Sequence, residues 1–171
     1  MAAAALAALT LACRNKVYRV PSSGMSPTIA EGEFITVDLH AYDRDLPRHG
    51  DLVVCRWKGR ETPLVRRVIA LPGETIEIRD KSVLLQGKPL RESYAVHGDF
   101  MTVHPGDGLR PPYDSRDELG PMTLPPDAYF VMGDNRDYAF DSRYLGAVPL
   151  RDIVGKVVEV LDKRMAARPV R

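Results

Sequence analysis

The sequence predicts a mainly β protein with antiparallel strands, and three observations support this prediction. Short runs rich in Val, Ile, Tyr and Phe recur along the chain, each bounded by turn-forming residues. Apolar residues with helical periodicity are nearly absent outside an alanine-rich start. With 171 residues, 44% of them hydrophobic, the chain is long enough to bury the core of a single domain.

Eight segments have the composition of strands. In the clearest of them, Ile76 and Ile78 alternate with polar residues, as expected of a strand with one buried face. Residues 79–90 predict a hairpin, with turns near Asp80–Lys81 and Gly87–Lys88. In chain order the predicted strands are 17–20, 34–39, 51–57, 64–70, 74–79, 82–86, 128–133 and 153–161.

Residues 97–127 are rich in Pro and Gly and have no regular periodicity. A stretch of this length inside a domain is usually a functional or mobile loop. We therefore expect one β domain over residues 17–163 that carries a long Pro/Gly-rich loop. An apolar segment at 1–16 precedes this domain, and a tail at 164–171 follows it.

The first 13 residues (MAAAALAALTLAC) are apolar and uncharged, and basic residues follow at once. About 20 apolar residues are needed to span a bilayer as a helix. Three interpretations compete. The run is the remnant of a membrane anchor in a longer chain, a signal segment with a lipid-bearing Cys13, or an alanine-rich helix without a targeting function. A signal segment normally begins with basic residues and would carry a larger aliphatic residue at the place of Thr10, so both features argue against the lipid-bearing signal segment. We expect membrane association, because an uncharged Ala/Leu run beside basic residues suits a membrane interface.

The composition excludes several kinds of site. Lys and Arg number 24 and Asp and Glu 23, and the resulting net charge of +1 argues against a nucleic-acid partner. Cys13 and Cys55 form neither a disulfide framework nor a C-x-x-C motif, and no G-x-S-x-G motif is present. The histidines lack a zinc-site spacing and are expected on exposed loops, so we predict no metal and no cofactor. They are His40, His49, His97 and His104.

Three short segments follow one another in a fixed order: PSSGMSPT at 21–28, LVRRVIALPGE at 64–74 and GDNRDYAFDSRYLG at 133–146. Together they resemble the conserved boxes of the type I signal peptidases, membrane-anchored serine proteases that cut leader peptides from exported proteins. The third segment is too long for a chance match. The resemblance covers about residues 17–160 and implies an antiparallel β fold shaped as a partly open barrel.

In the family that the chain resembles, a serine is the nucleophile and a buried lysine is the general base. Burial lowers the pKa of that lysine until it can accept the serine proton. A serine hydroxyl and a backbone amide hold the oxyanion, and a further serine orients the lysine. The resemblance implies that this chain has different residue types at the nucleophile, base and base-orienting positions.

The first box places Gly24 at the nucleophile position, and glycine has no hydroxyl. Ser22 occupies the oxyanion position. Ser23 is the candidate substitute nucleophile, but in an extended segment its side chain would point away from the site unless Gly24 twists the backbone. Ser23 and Ser26 are more simply interpreted as turn hydroxyls. The positions that match the family are Pro21, Ser22, Met25, Pro27 and Thr28.

The second box places Arg66 at the base position, followed by the matching Arg67. A guanidinium stays charged in proteins and offers five N–H donors but no acceptor, so Arg66 cannot serve as a general base. We expect Arg66 to form an ion pair instead. Its candidate partners are Asp141, Asp137 and Glu74.

The third box departs from the family at Ala139, which stands where a serine would hydrogen-bond the lysine. Asp141 and Arg143 are expected to form a bidentate structural pair. The matching positions are Gly133, Asp134, Asn135, Arg136, Asp141, Ser142 and Arg143. Three catalytic positions have therefore changed together while the residues around them match, which indicates altered or abandoned chemistry on a retained fold.

By resemblance, the ligands are signal or leader peptides of exported proteins, met at the outer, extracytoplasmic face of a membrane. Such a peptide adds as a strand along a groove, and its small side chains fill apolar pockets. Trp57 and Phe34 are interpreted either as membrane contacts or as core residues.

Two functions remain open. One is an active signal peptidase whose nucleophile has moved to Ser23. The other is a non-catalytic peptide-binding protein, which we favour because losing either member of such a dyad removes most of the rate enhancement. A self-cleaving repressor-type domain, which has a related β core, is disfavoured because such proteins lack the GDNR…DSR segment.

Overall fold

The computed structural model describes residues 14–107 and 116–170. Strands make up 39% of the described residues and helices 7%, so the protein is mainly β, as predicted. The strands are β1 (Asn15–Arg19), β2 (Phe34–Asp38), β3 (Leu52–Cys55), β4 (Leu64–Ala70), β5 (Thr75–Arg79), β6 (Ser82–Leu85), β7 (Lys88–Pro89), β8 (Leu119–Thr123), β9 (Ala128–Met132), β10 (Val148–Pro149), β11 (Ile153–Leu161) and β12 (Ala167–Pro169). Helical turns occur at Ser23–Met25 and Leu150–Asp152, and one short helix, α1, at Ser142–Leu145.

The strands form two sheets, and neighbouring strands in both are antiparallel. The larger sheet has the order β1-β2-β11-β3-β4-β9-β10, with β12 added to β11, and it curls into a half-barrel. The smaller sheet has the order β7-β6-β5-β8. The expected partly open, antiparallel barrel is therefore confirmed.

The burial of each strand follows its sequence pattern. In β2 and β5 alternate residues are buried, which matches the alternation of apolar and polar residues in both. All seven residues of β4 are buried, because both faces of this central strand are covered. Two arginines therefore lie inside the protein at the centre of β4, and each needs hydrogen-bond acceptors there.

The two sheets share a hydrophobic core. Ile69 of β4 and Phe130 of β9 belong to the same buried cluster as Ile76, Ile78 and Val83 of the smaller sheet. Another cluster includes residues of β2, β3 and β11. The cluster that contains Ile69 and Phe130 joins the smaller sheet to the half-barrel.

All eight predicted strands are confirmed, and so is the hairpin at 79–90. Asp80 and Lys81 both have positive φ, and so do Gln86 and Gly87, which gives two-residue turns with the twist that hairpins favour. The second turn is centred one residue earlier than predicted.

Three strands lie where the sequence indicated none. β8 falls within the Pro/Gly-rich segment 97–127, β10 falls between the last two predicted strands, and β12 falls within the predicted tail 164–171. All three contain a proline and pair with a neighbour on one side only, a position where the missing N–H of proline is tolerated. Edge strands of this composition carry no clear alternation, so periodicity did not predict them.

Several remaining expectations can be compared with the described residues. Trp57 is a core residue, and its indole N–H donates to the carbonyl of Gly146 at 3.1 Å. All four histidines are exposed, as predicted. The apolar run at 1–13 lies outside the described residues. Among the helices within them, none has the length and apolar content required to cross a bilayer.

Candidate active site

Gly24, Arg66 and Ala139 meet at one point of the fold. A Cβ atom placed on Gly24 would lie 3.4 Å from Nη2 of Arg66, 3.5 Å from Nη1 and 3.5 Å from Cα of Ala139. These residues come from three separate segments of the chain. The structure thus brings together the three residues that the sequence predicted at the nucleophile, base and base-orienting positions.

Gly24 lies in a turn of 3-10 helix, Ser23–Met25, and not in the extended segment that we expected. Met25 is fully buried in the core beneath this turn, and its carbonyl accepts a hydrogen bond from Ile29. Side chains of successive residues in a 3-10 helix are about 120° apart, and not on opposite faces as in a strand. The expectation that the Ser23 side chain points directly away from the site assumed an extended segment and was therefore wrong.

The serines of the first box are all at least partly exposed. Ser22 has extended backbone angles, and its hydroxyl does not cap the turn that follows. Ser23 and Ser26 are half-buried, and the backbone N–H of Ser26 donates to the carbonyl of Ser23. Within the described residues no side chain hydrogen-bonds the hydroxyl of Ser23.

Arg66 is only 3% exposed and donates to backbone carbonyls. Its Nε and Nη2 donate to the carbonyl oxygen of Phe140 at 3.2 and 2.7 Å, and its Nη1 donates to the carbonyl oxygen of Val65. Burial lowers the pKa of Arg66, and the nearby Asp141 carboxylate opposes this effect. The guanidinium remains a cation, because its ordinary pKa lies far above neutrality.

The predicted ion pair of Arg66 was wrong. Asp141 bonds Arg143, and the other two expected partners are bound elsewhere. Asp137 lies against Lys81, and Glu74 bonds His49. The segment after Ala139 passes directly over Arg66, so a backbone carbonyl and not a carboxylate reaches the guanidinium.

The second and third boxes are joined by a buried ion pair. Nε and Nη2 of Arg67 donate to the two carboxylate oxygens of Asp134 at 2.9 and 2.7 Å. The hydroxyl of Thr28, from the first box, donates to the same carboxylate. Arg67 also donates to the carbonyl of Gly50 and lies 4.0 Å from the ring centre of Tyr94. Asp134 thus connects all three boxes.

The turn around Gly24 is held by the third box. The backbone N–H and the side-chain amide of Asn135 donate to the carbonyls of Gly24 and Ser23 at 3.2 and 3.1 Å. A Cβ on Gly133 would overlap the Cβ of Ala139 and the carbonyl oxygen of Gly24. Only glycine at position 133 allows the turn and the third box to approach this closely.

The predicted pair of Asp141 and Arg143 is present and fully buried. Nε and Nη2 of Arg143 each lie 2.9 Å from a different oxygen of Asp141, and the backbone N–H of Gly133 donates to this carboxylate as well. Burial opposes ionisation of Asp141, but Arg143 and these hydrogen bonds lower its pKa below the ordinary value. Next to it, the hydroxyl of Ser142 accepts the backbone N–H of Val131.

Glu92 is a partner that sequence reasoning missed. Both of its carboxylate oxygens accept from the buried guanidinium of Arg136, which also donates to the carbonyl of Gly133. Glu92 lies 44 positions before Arg136, in a segment without a recognisable motif. No local signal in the sequence identifies such a partner.

An open strand edge and an apolar pocket lie beside the site. β9 pairs with β4 only from Arg67 onward, so β9 leaves residues 64–66 uncovered. A pocket of about 80 Å³ lies next to this edge. It is lined by Tyr18, Arg19, Val20, Pro21, Ile35, Val54, Thr62, Pro63 and Val65.

A separate group of side chains has the chemistry of a metal site. Ligand atoms of Asp80, His104 and Glu118 all lie within 4.8 Å of one another. The group is largely exposed, and the carboxylate of Glu118 also accepts the backbone N–H of Asp80. It includes none of the residues around Gly24.

The comparisons with known proteins agree with this geometry. Residues 1–161 match the family described as Signal peptidase, peptidase S26. Signal peptidase I V of Bacillus subtilis (strain 168) is 32% identical over 152 residues, covering 87% of this chain and 89% of that protein. Signal peptidase I of Leptolyngbya laminosa is 33% identical over 147 residues, covering 81% of this chain and 64% of that protein.

A solved structure shows a similar fold. The crystal structure of a signal peptidase I from Enterococcus faecalis V583 matches with a TM-score of 0.50 and 25% identity, covering 67% of this chain and 98% of that chain. The similarity thus extends from the sequence to the fold. On the family match over most of its length and this shared fold, the chain belongs to the signal peptidase family, peptidase S26.

Proposed function

We propose that this protein binds extended leader-type peptides at a membrane surface and is catalytically impaired. One observation carries the proposal: Gly24, which has no side chain, lies against the guanidinium of Arg66, whose Nη2 is 3.4 Å from the Gly24 Cβ position. Serine-protease chemistry needs a nucleophilic oxygen and a group that accepts its proton. Neither residue supplies these groups.

The hydrogen bonds of Arg66 support the loss of a general base. Each bond runs from the guanidinium to a carbonyl, so the side chain acts only as a donor. Burial lowers its pKa, but an arginine lacks the lone pair that a neutral lysine amine offers. Loss of one dyad member typically lowers kcat by several orders of magnitude.

Peptide binding is supported by the open edge of β4. The backbone N–H and C=O of Val68 hydrogen-bond Asp51 and Gly50, on the side of β4 where β3 lies. Successive residues of a strand direct these groups to opposite sides, so the N–H and C=O of Val65 point to the side away from β3. An extended peptide adds as a strand at an edge of this kind. The adjacent pocket of about 80 Å³ suits a small apolar side chain.

The ligand class and the location rest on the family. The relatives are named signal peptidases, which supports signal peptides of exported proteins as the bound chains. The apolar run at 1–13, followed by Arg14 and Lys16, supports membrane association. The extracytoplasmic face is proposed because exported chains present their leader peptides there.

A cleavage assay tests the proposal. Purified protein incubated with a leader-peptide substrate is expected to show no turnover above background, as measured by mass spectrometry of the products. The triple variant Gly24→Ser, Arg66→Lys, Ala139→Ser is expected to gain turnover. Gly24→Ser alone is the matched control and is expected to stay inactive, because Arg66 still cannot accept a proton.

The competing function is an active peptidase that uses Ser23. The helical turn at Ser23–Met25 favours it, since Ser23 is not held on the opposite face of a strand. It still requires a base. The side chain of Lys81 is 12% exposed, but it lies in ion pairs with Asp137 and Asp117. Cleavage by the unaltered protein that Ser23→Ala abolishes would establish this function and refute the proposed one.

A further inference from the structure

We propose that Gly24 and Arg66 form a carboxylate site that holds the free C-terminus of a bound peptide. The protein would then prefer leader peptides that end at this point over chains that continue past it. This inference rests on the proposed function, because it requires an extended peptide in the groove beside β4.

The first argument is the charge of Arg66. Its guanidinium is buried, and its described hydrogen bonds all go to carbonyl oxygens. Among the described residues, no carboxylate forms an ion pair with Arg66, and Asp141 forms its ion pair with Arg143. Buried charges in proteins are normally paired, and within the described residues the Arg66 guanidinium has no directly bonded carboxylate.

The second argument is the space beside Gly24. The atoms nearest to its Cβ position are 3.4 to 3.5 Å away, and two of them are the terminal nitrogens of Arg66. The volume of a side-chain carbon is therefore open next to the guanidinium. A ligand oxygen cannot occupy the Cβ position itself, which is about 1.5 Å from the Gly24 Cα. An oxygen just beyond that position comes within hydrogen-bonding distance of Nη1 and Nη2.

The third argument is the number of donors that remain. A guanidinium has five N–H groups, and the described bonds of Arg66 use three. Nη1 and Nη2 each have one further N–H. Two N–H groups on adjacent nitrogens match the two oxygens of a carboxylate, which is the geometry that distinguishes arginine from lysine.

The position along the peptide follows from the same geometry. Gly24 stands where a nucleophile would attack the carbonyl carbon of a bound peptide bond. A peptide whose chain ends at that carbon places a carboxylate there instead of an amide. The substitutions that remove the reaction thus create a site for the group that the reaction would produce.

Two peptides of identical sequence test this inference. Both are short leader-type peptides ending in Ala-Gln-Ala, one with a free C-terminal carboxylate and one with a C-terminal amide. Binding to the full chain is measured by fluorescence anisotropy at about pH 7, where the terminal carboxyl is ionised. We expect the acid to bind about tenfold more tightly than the amide, as hydrogen bonds to a charged group contribute more than neutral ones.

Two variants locate the preference. Gly24→Ala fills the space beside the guanidinium at an ordinary contact distance, so it is expected to fold and to lose most of the preference for the acid. Arg66→Gln removes the charge and is expected to abolish the preference. Arg151→Gln, which removes an exposed arginine, is the matched control and should leave the ratio unchanged.

The outcomes separate this inference from the proposed function. Equal and measurable binding of acid and amide would overturn the carboxylate site and leave peptide binding intact. Binding of neither peptide would refute the proposed function and this inference with it. A preference for the acid that survives both Gly24→Ala and Arg66→Gln would assign the carboxylate to another cation and would also overturn the site.

Discussion

Arg66 shows how one residue changes the chemistry that a buried position permits. A lysine at this position would lose its proton on burial, whereas the guanidinium keeps its charge and satisfies it with carbonyl groups. The same burial lowers the pKa in both cases, but only the amine becomes a base at neutral pH. At the same degree of burial, the residue type decides whether the side chain can accept a proton.

Asp141 gives a prediction at the level of a single side chain. Burial alone would raise the pKa of this carboxyl. The hydrogen bonds that Arg143 and the backbone N–H of Gly133 donate to the carboxylate outweigh burial, so the pKa in the folded protein is lowered. A carboxyl group of this kind stabilises the fold above its unfolded pKa, about 3.9, and the contribution is lost as the pH falls through the folded value. The urea midpoint of the wild-type protein should therefore fall as the pH is lowered below about 4.

The variant Asp141→Asn supplies the comparison. It should be less stable than the wild type at about pH 7, and the difference should shrink as the pH decreases, because the wild-type carboxyl also becomes neutral. Parallel curves for the two proteins over the whole range would contradict the role assigned to this carboxylate.

At the level of elements, the close approach of two loops forms the site. The turn at Ser23–Met25 and the third box touch through Gly133, whose missing side chain leaves room for Ala139 and for the carbonyl of Gly24. Asn135 then bonds the turn at two carbonyls. These contacts hold Gly24 against Arg66, which projects from β4.

Gly133→Ala tests this contact. The added methyl group overlaps atoms of both loops, so we expect a loss of stability of about 1–3 kcal/mol in urea unfolding. Gly120→Ala is the matched control, because no atom lies within 4 Å of its Cβ position and its change in stability should stay within about 0.5 kcal/mol. Similar midpoints for the two variants would show that the loops separate easily.

At the level of the whole molecule, Asp134 connects segments that are more than a hundred residues apart. Thr28 and Arg67 both donate to its carboxylate, and the backbone of Asp134 also accepts the N–H of Val96. The half-barrel brings these partners into one buried place. The three boxes are therefore parts of a single network and not three independent motifs.

Asp134→Asn tests the network. The substitution removes the carboxylate charge that faces the buried guanidinium of Arg67, and breaking a buried pair in this way typically lowers the free energy of unfolding by about 3–5 kcal/mol. Arg79→Gln is the control, because it breaks an exposed ion pair with Glu77. It is expected to change the free energy of unfolding by less than about 1 kcal/mol. Urea titration followed by circular dichroism measures both, and a small effect of Asp134→Asn would mean that the boxes are held by packing alone.

Much of this architecture was predictable because its signals are local. Alternation and β-branched residues identified eight strands, and the turn residues between Ile78 and Val83 identified the hairpin. The boxes located Gly24, Arg66 and Ala139 before their proximity was known. Edge strands β8 and β12 have no comparable alternation, and they form because β5 and β11 offer them free hydrogen-bonding edges.

The order of residue types along the chain determines the β architecture and the family, and it places a glycine at position 24 and an arginine at position 66. Folding establishes the partners: that Arg66 bonds Phe140 and Val65, that Ser23 begins a helical turn, and that Glu92 holds Arg136. The physical reason is the distance along the sequence over which each interaction acts. Strand and turn preferences act between neighbours, whereas a buried guanidinium bonds whichever acceptor the packed sheets bring within about 3 Å.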